Sequence, residues 1–208
     1  MMRSISTYMA AAMLFVTTRG AAQEHTFDTR FSSVTTYIIS VPMADTRDFM
    51  TDPSWLGLTW EATWLLRRNT VGGVLFGVND FFHRTDGTVN FNWGAATGQQ
   101  FRDLTVATLM GSGRWYVRGI AGRGPYLGGG AGLLWARQSY QLGVLPQLVR
   151  SAFHLAVAPE AGVAVPVWDG VEAIASVRYT LPSGNGRYLN GSSSRFQYIA
   201  IGFGLSEH

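Results

Sequence analysis

The chain has 208 residues, of which 47% are hydrophobic, 13% aromatic and only 14% charged. This composition argues against a disordered chain, which needs high charge and few aromatics. It contains no cysteine, which excludes a disulfide framework, a thiolate metal site and a cysteine nucleophile. The formal net charge is only +3, and the arginines form no cluster typical of nucleic-acid binding. Because no apolar run approaches the ~20 residues of a membrane-spanning helix, a soluble globule or a transmembrane β-barrel remains.

Residues 1–22 have the pattern of an export signal. Arg3 precedes the apolar run Tyr8–Val16, and small residues lie three and one positions before a break after Ala22. This apolar run suits a signal peptide and is too short for a spanning anchor. The alternative is an amphipathic N-terminal helix. We expect cleavage after Ala22, a mature barrel domain over 23–208, and export.

The rest of the chain has the two-residue period of β-strands. Alternate positions hold Leu56, Leu58, Trp60, Ala62, Trp64 and Leu66, and the positions between them hold Gly57, Thr59, Glu61, Thr63 and Leu65. A strand places these two sets on opposite faces, whereas a helix would mix them. The same reasoning predicts eight strands, over residues 32–42, 55–66, 71–83, 101–116, 125–139, 151–165, 170–181 and 195–205.

The connections between these strands alternate in length. Three are short, at 67–70, 117–124 and 166–169, and four are longer and mostly polar or glycine-rich, at 43–54, 84–100, 140–150 and 182–194. Bacterial outer-membrane barrels have an even number of antiparallel strands, with short periplasmic turns and long external loops. The sequence therefore predicts an all-β fold, an eight-stranded antiparallel up-and-down transmembrane β-barrel, whose four long loops could bind an external ligand.

Large apolar side chains and small or charged ones fall on opposite faces of the predicted strands. An eight-stranded barrel has an interior just wide enough for side chains to fill, so a ring of tryptophans does not fit inside. An ionised group on the lipid face costs up to ~2–4 kcal/mol at the membrane midplane, so Glu61 should point inward. Because amphipathic rings favour membrane interfaces, the expected lipid face and aromatic girdle comprise Trp55, Trp60, Trp64, Trp115, Trp135, Trp168 and Tyr179.

Charged residues on the predicted inward faces form a candidate lumen network. They are Glu61, Asp103, His154, Glu160, Glu172 and Arg178. Isolated charges in a narrow lumen are costly, so they should pair. Arg178 is the expected bridge between Glu160 and Glu61, and the excess of acids points to bound water or to a further partner such as Arg102 or Arg137. The plain alternative is that these charges only fill and solvate the interior.

Three short motifs carry a resemblance to a known family. They are Pro125–Leu133 with its run of glycines, Pro159–Val163 and Val177–Tyr179. Together they resemble bacterial outer-membrane β-barrel domains of the OmpA and OmpW type. The resemblance implies a Gram-negative outer-membrane location, contact with outer-membrane lipid and lipopolysaccharide, and handling by the barrel-insertion machinery, with Phe203 near the C-terminus as its signal. It also implies that interior Arg/Glu pairs plug or gate the lumen.

The sequence offers little for catalysis or for a cofactor. Outer-membrane deacylases of this size need a His-x-Ser pair, and His25, His83, His154 and His208 have none. These histidines are widely separated and the acids are dispersed, so no metal site and no cofactor are expected.

Three functions remain open on the sequence alone. The leading interpretation is a non-enzymatic integral outer-membrane barrel with a structural or surface-interaction role. The second is a small channel for hydrophobic or small solutes of the OmpW type, with a lumen lined by residues such as Leu65, Leu134 and Ile174. The third is a secreted soluble calyx of the lipocalin type.

Overall fold

The computed structural model describes residues 31–91, 94–119, 124–183, 186–187, 193–194 and 196–207. The predicted signal peptide and its cleavage after Ala22 lie outside these residues. No helix in this described part of the chain is long and apolar enough to cross a membrane.

The described residues form ten strands and one short helix. The strands are β1 (Phe31–Met43), β2 (Ser54–Arg67), β3 (Thr70–Phe91), β4 (Gly94–Tyr116), β5 (Gly124–Leu142), β6 (Leu148–Trp168), β7 (Val171–Pro182), β8 (Gly186–Arg187), β9 (Ser193–Ser194) and β10 (Gln197–Glu207), and the helix α1 is Asp45–Phe49. Eight of the strands close into a barrel in the order β1-β10-β7-β6-β5-β4-β3-β2, while β8 pairs with β9. The predicted eight-stranded antiparallel barrel is confirmed.

The barrel closes through its first and last strands. β1 pairs with β10 from Ser33↔Glu207 to Met43↔Gln197, so the sheet has no free edge along this seam. The end of the barrel that holds the connections after β2, β4 and β6 is called the turn end, and the opposite end the loop end. Short turns face the periplasm in bacterial outer-membrane barrels, so the turn end is the one expected on the periplasmic side of such a membrane.

Adjacent rows of residues face opposite sides of the barrel wall. One row of cross-strand pairs runs through Trp60, Phe76, Leu109, Leu133 and Leu155, and all five side chains are exposed on the outside. The next row holds Glu61, Leu75, Met110, Gly132 and Ala156, which point into the barrel. In these two rows the large apolar side chains lie outside, and the inside holds Glu61 and side chains no larger than Leu75 and Met110. A continuous row of exposed apolar side chains suits a lipid environment and does not fit a soluble calyx, whose outer surface meets water.

Strands β3 and β4 are longer than the sequence indicates. They have 22 and 23 residues, and their pairing runs unbroken from Thr70↔Trp115 to Phe91↔Gly94. The prediction of a loop at 84–100 is therefore wrong, because most of these residues continue β3 and β4 as a hairpin. Its residues are mostly polar or small, so the alternation of apolar and polar positions that marks a half-buried strand is missing from the sequence.

The other long connections are also more ordered than expected. Within 43–54 lies the helix α1, the connection predicted at 140–150 contracts to 143–147, and 182–194 contains the short pair β8 and β9. Since about 9–11 residues suffice to cross a membrane, the barrel strands of 19 to 23 residues, β3 to β6, continue past the membrane core.

Candidate functional site

Four strands bring two carboxylates and two guanidinium groups together inside the barrel. Glu61 comes from β2, Arg114 from β4, Glu160 from β6 and Arg178 from β7, and we call these four side chains the lumen ion network. Glu160 and Arg178 are paired directly across β6 and β7. Between Arg114 and Glu160 the same row holds Gly128 of β5, whose lack of a side chain leaves room for the two to meet. A Cβ atom at Gly128 would lie 3.0 Å from Arg114 Cγ.

The first half of the network is the pair of Glu61 and Arg114. Arg114 Nη2 contacts one carboxylate oxygen of Glu61, and the hydroxyl of Ser112 donates to the other at 2.5 Å. Glu61 is 2% exposed and Arg114 5% exposed. Burial of this kind is tolerable for a charge only when it is paired and hydrogen-bonded. The burial of Glu61 is therefore tolerated because Arg114 pairs with it, and the burial of Arg114 because Glu61 pairs with it.

The second half is built around Glu160. Arg178 Nε donates to Glu160 Oε2 at 2.8 Å, with Arg178 Nη2 contacting the same oxygen, while Arg114 Nε lies 3.3 Å from Oε1. The hydroxyl of Tyr126 donates to Oε1 at 2.6 Å. Tyr126 packs against Gly162, where a Cβ atom would lie 2.5 Å from the Tyr126 hydroxyl oxygen. The acids and arginines thus alternate as Glu61, Arg114, Glu160 and Arg178, and their charges balance.

Apolar layers lie on both sides of the lumen ion network. Towards the turn end is the inner cluster of Val34, Tyr116, Tyr126, Ala164 and Ile174. Towards the loop end is the outer cluster, which includes Phe49, Met50, Phe81, Leu104, Leu134, Phe196 and Tyr198. A cavity of about 10 Å³ beside Arg178 and Tyr198 has room for about one water molecule. Among the described residues, these side chains occupy the lumen on both sides of the lumen ion network.

Three members of the outer cluster come from connections and not from the barrel wall, namely Phe49 and Met50 after β1 and Phe196 just before β10. The segment 44–53, which we call the plug segment, follows β1, and its Phe49 and Met50 are completely buried. It begins at Ala44, which has φ 45°, a left-handed conformation that is costly for a residue other than glycine. The plug segment therefore packs two apolar side chains into the loop end of the barrel.

Polar groups of three barrel strands hold the plug segment in place. Arg102 of β4 donates through Nη1 to the carbonyl of Phe49 at 3.2 Å, and its guanidinium lies 5.7 Å from the Phe49 ring centroid. The backbone N–H of Gln197 in β10 donates to the Thr46 hydroxyl at 2.7 Å. Asp52 accepts a hydrogen bond from His83 Nδ1 of β3 at 2.8 Å.

The structure brings only some of the predicted lumen residues together. Glu61, Glu160 and Arg178 belong to the lumen ion network, but the bridge between the two acids is Arg114 and not Arg178. Glu172 belongs to β7 and is buried close to the turn end of the barrel. His154 points inward and packs against Phe196, with ring centroids 5.4 Å apart.

Asp103 is the exception among the predicted lumen residues. It lies on the outer face of β4, paired with Phe82 and Ser139, and the Ser139 hydroxyl donates to it at 3.3 Å. Its predicted inward orientation is wrong. β4 pairs on both sides without a bulge, so Asp103 has the same orientation as the exposed Trp115 on the same strand.

The other predicted residues take up varied positions. The proposed girdle residues Trp55, Trp60, Trp64, Trp115 and Trp168 are exposed outside, and Trp135 and Tyr179 are half-buried on the outward face of β5 and β7. Of the suggested channel lining, Leu134 is in the outer cluster and Ile174 in the inner cluster, whereas Leu65 is 40% exposed at the end of β2. Arg137, offered as a partner for the acids, is exposed outside.

Sequence reasoning missed Arg114 and the plug segment. Arg114 precedes Trp115, and an outward tryptophan requires an inward arginine at the adjacent position of a strand. No comparable signal marks Phe49 and Met50, because a two-residue apolar step in a polar connection is common. Within the described residues no group of three or more His, Asp or Glu side chains could hold a metal ion.

Comparison with known proteins relates this chain to others by fold. No protein-family model and no curated protein sequence matches it. Ail, the attachment invasion locus protein of Yersinia pestis, is 11% identical with a TM-score of 0.50, over 86% of this chain and 97% of Ail. Neisserial surface protein A is 12% identical with a TM-score of 0.55, over 85% of this chain and 94% of that protein. The chain is therefore an eight-stranded β-barrel of the bacterial outer-membrane type.

Proposed function

We propose that the chain is a non-enzymatic integral outer-membrane barrel that does not conduct and that acts through its external part. The filled lumen carries this proposal. A permeating ion would have to separate Arg114 from Glu61 and Glu160, and breaking a buried pair of this kind costs about 3–5 kcal/mol. The inner cluster, the outer cluster and the plug segment add further layers to the barrier.

The long strands at the loop end support a surface role. β4 pairs with β5 only from Gln100 onward, whereas its pairing with β3 continues to Gly94. The hairpin thus extends beyond the barrel wall, and the Thr88 and Thr97 hydroxyl oxygens lie 2.8 Å apart across it. An ordered hairpin outside the membrane offers a preformed surface for a partner.

Charge favours a protein partner for this surface. Ail has been crystallised with the heparin analogue sucrose octasulfate, which is a polyanion. Here two exposed arginines of the loop end, Arg47 and Arg84, lie close in sequence to Asp45, Asp48, Asp52 and Asp86, so this part of the loop end carries mixed charge. Mixed charge does not favour a polyanion, and we expect a protein surface of mixed charge instead.

Lipid and assembly factors complete the proposed set of partners. Outer-membrane lipid and lipopolysaccharide would cover the exposed apolar rows of the barrel. Handling by the barrel-insertion machinery stays a prediction, with Phe203 of β10, 55% exposed, as the candidate signal.

A small channel for apolar solutes is the second candidate. One observation favours it: the outer cluster is apolar, contains Leu134, and is covered by the plug segment and not by a barrel strand. Such a channel would require both the plug segment and the lumen ion network to move.

Recordings in planar lipid bilayers test the leading proposal. The protein should show no conductance steps, and the Phe49→Ser/Met50→Ser variant should also show none, because the lumen ion network stays in place. Arg114→Ala leaves both apolar clusters and the plug segment in place and should also show none, whereas Arg114→Ala combined with Phe49→Ser/Met50→Ser should produce conductance steps. Regular steps from the unmodified protein would contradict the proposal, and steps from the Phe49→Ser/Met50→Ser variant alone would favour the channel.

A further inference from the structure

Three exposed arginines lie at two adjacent connections at the turn end of the barrel. Arg67 ends β2, Arg68 follows it in the turn to β3, and Arg118 follows β4. The two connections are in contact, because the backbone N–H of Tyr116 donates to the carbonyl of Asn69 at 2.8 Å. We call these three arginines the basic patch.

The basic patch borders directly on the apolar outer surface. Trp64 and Leu66 precede it on β2 and are 41% and 57% exposed, and Trp115 and Val117 precede Arg118 and are 47% and 51% exposed. Trp64 and Trp115 are close across the sheet, since Trp64 pairs with Gly72 and Trp115 with Thr70 on β3. Apolar side chains bordered by guanidinium groups match the two parts of a phospholipid, its acyl chains and its phosphate.

The charge of the turn end is uneven around the rim. The turn between β6 and β7 carries the exposed Asp169, and β10 ends at the exposed Glu207. The described residues of the turns after β2 and β4 include no acid. The nearby Arg114 points into the lumen, where Glu61 and Glu160 neutralise it. The basic patch is therefore a localised positive charge, not part of a uniform ring.

We propose that the basic patch binds the phosphate of an anionic phospholipid in the periplasmic leaflet of the outer membrane. A guanidinium group donates two parallel hydrogen bonds to phosphate oxygens. The hydrogen bond from the N–H of Tyr116, the last residue of β4, to the Asn69 carbonyl holds the two connections side by side, so the backbone places Arg118 near Arg67 and Arg68. A single basic residue at an anionic membrane surface strengthens binding about fivefold.

Native mass spectrometry of the detergent-solubilised, folded barrel tests the proposal. Phosphatidylglycerol is the anionic probe and phosphatidylcholine of the same chain length is the neutral one. The unmodified protein should bind its first phosphatidylglycerol at least about tenfold more tightly than its first phosphatidylcholine. In Arg67→Gln/Arg68→Gln/Arg118→Gln the ratio should fall to within about twofold, and Arg118→Glu alone should lower it about fivefold or more.

The matched control removes the same charge at the opposite end. Arg47, Arg84 and Arg137 are exposed near the loop end, and their joint replacement by Gln should leave the preference for phosphatidylglycerol unchanged. Heat-modifiable mobility on a detergent gel shows that each variant is folded.

Three outcomes would overturn the proposal. One is equal binding of the two phospholipids by the unmodified protein. Another is a loss of preference in the control as large as in the basic-patch variant, which would make net charge the cause. The third is that the basic-patch variant loses affinity for lipopolysaccharide and keeps its affinity for phosphatidylglycerol, because the patch would then face the outer leaflet.

Discussion

Arg114 Nε on β4 lies 3.3 Å from Glu160 Oε1 on β6, across the backbone of β5. The contact depends on Gly128, which leaves the intervening position of the row without a side chain. Arg114 also contacts Glu61 through Nη2. A single guanidinium group thus connects two buried carboxylates that come from strands on either side of it, and it is the centre of the lumen ion network.

Arg114→Met should be the most destabilising substitution in the lumen ion network. It leaves Glu61 without an arginine partner and Glu160 with only Arg178 and Tyr126, and uncompensated buried charge costs about 3–5 kcal/mol. The measurement is the free energy of unfolding in urea, for the protein folded into phospholipid vesicles. Arg178→Met is the matched control and should cost less, since Glu160 retains Arg114 and Tyr126. An equal cost for the two variants would contradict the central role of Arg114.

Gly162→Ala should destabilise the barrel through Tyr126. The added Cβ atom would lie 2.5 Å from the Tyr126 hydroxyl oxygen, which forces the ring away from Glu160. Overpacking of this kind costs about 1–3 kcal/mol in the free energy of unfolding. In the Tyr126→Ala background the same substitution should cost less but not nothing, because the added Cβ atom would still lie 2.6 Å from the Ala175 carbonyl oxygen, and the double-mutant cycle measures the part due to Tyr126. If the cost is equal in both backgrounds, backbone strain and not contact with Tyr126 is its cause.

The barrel was predictable where the two faces of a strand differ strongly. On β2, Trp60 and Trp64 alternate with Glu61 and Thr63, which assigns the lipid face at once. β4 is harder, because leucines stand on both faces, at Leu104 inside and Leu109 outside.

The orientation of β4 could still have been obtained from one residue. If Trp115 faces outward, strand geometry turns Asp103 outward and Arg114 inward. Asp103 is then excluded from the lumen, and Arg114 becomes a candidate partner for the buried acids. The hairpin beyond residue 84 could not be predicted in this way. Outside the membrane both of its faces meet water, so no burial pattern distinguishes a strand from a loop there.

Arg102→Gln should release the plug segment. Arg102 is its main polar contact with β4, through the carbonyl of Phe49 and the Phe49 ring. Because the chain has no cysteine, Met50→Cys introduces a single thiol whose reaction with a maleimide reports exposure of the plug. Labelling should be slow in the Met50→Cys protein and at least about tenfold faster with Arg102→Gln added, which corresponds to a loss of about 1.4 kcal/mol.

Two control thiols define the limits of the plug experiment. Val144→Cys lies at a fully exposed position and should react fast, and Leu134→Cys lies at a fully buried position of the barrel wall and should stay protected with or without Arg102→Gln. If Arg102→Gln accelerates the labelling of Leu134→Cys as much as that of Met50→Cys, the barrel itself has loosened and the plug segment is not a separate unit.

The loss of stability caused by Leu109→Arg should show whether the outer surface around Leu109 faces lipid or water. Leu109 is 52% exposed in the apolar outer row, between Phe76 and Leu133. In a soluble barrel an exposed substitution of this kind changes the free energy of unfolding by about 0.5 kcal/mol or less. In a membrane an arginine at mid-depth costs about 2–4 kcal/mol and near the interface about 0–1 kcal/mol. We therefore expect a large loss of stability for Leu109→Arg in vesicles.

Val117→Arg is the matched comparison, since Val117 is equally exposed, at 51%, but lies at the turn end. It should cost no more than about 1 kcal/mol, because an arginine there reaches the headgroups without crossing hydrocarbon. The difference between the two variants depends only on depth, since residue type and exposure are closely matched. Equal and small costs would mean that the apolar row does not meet hydrocarbon, and the lipid-facing assignment of Trp60, Phe76 and Leu109 would then fail together.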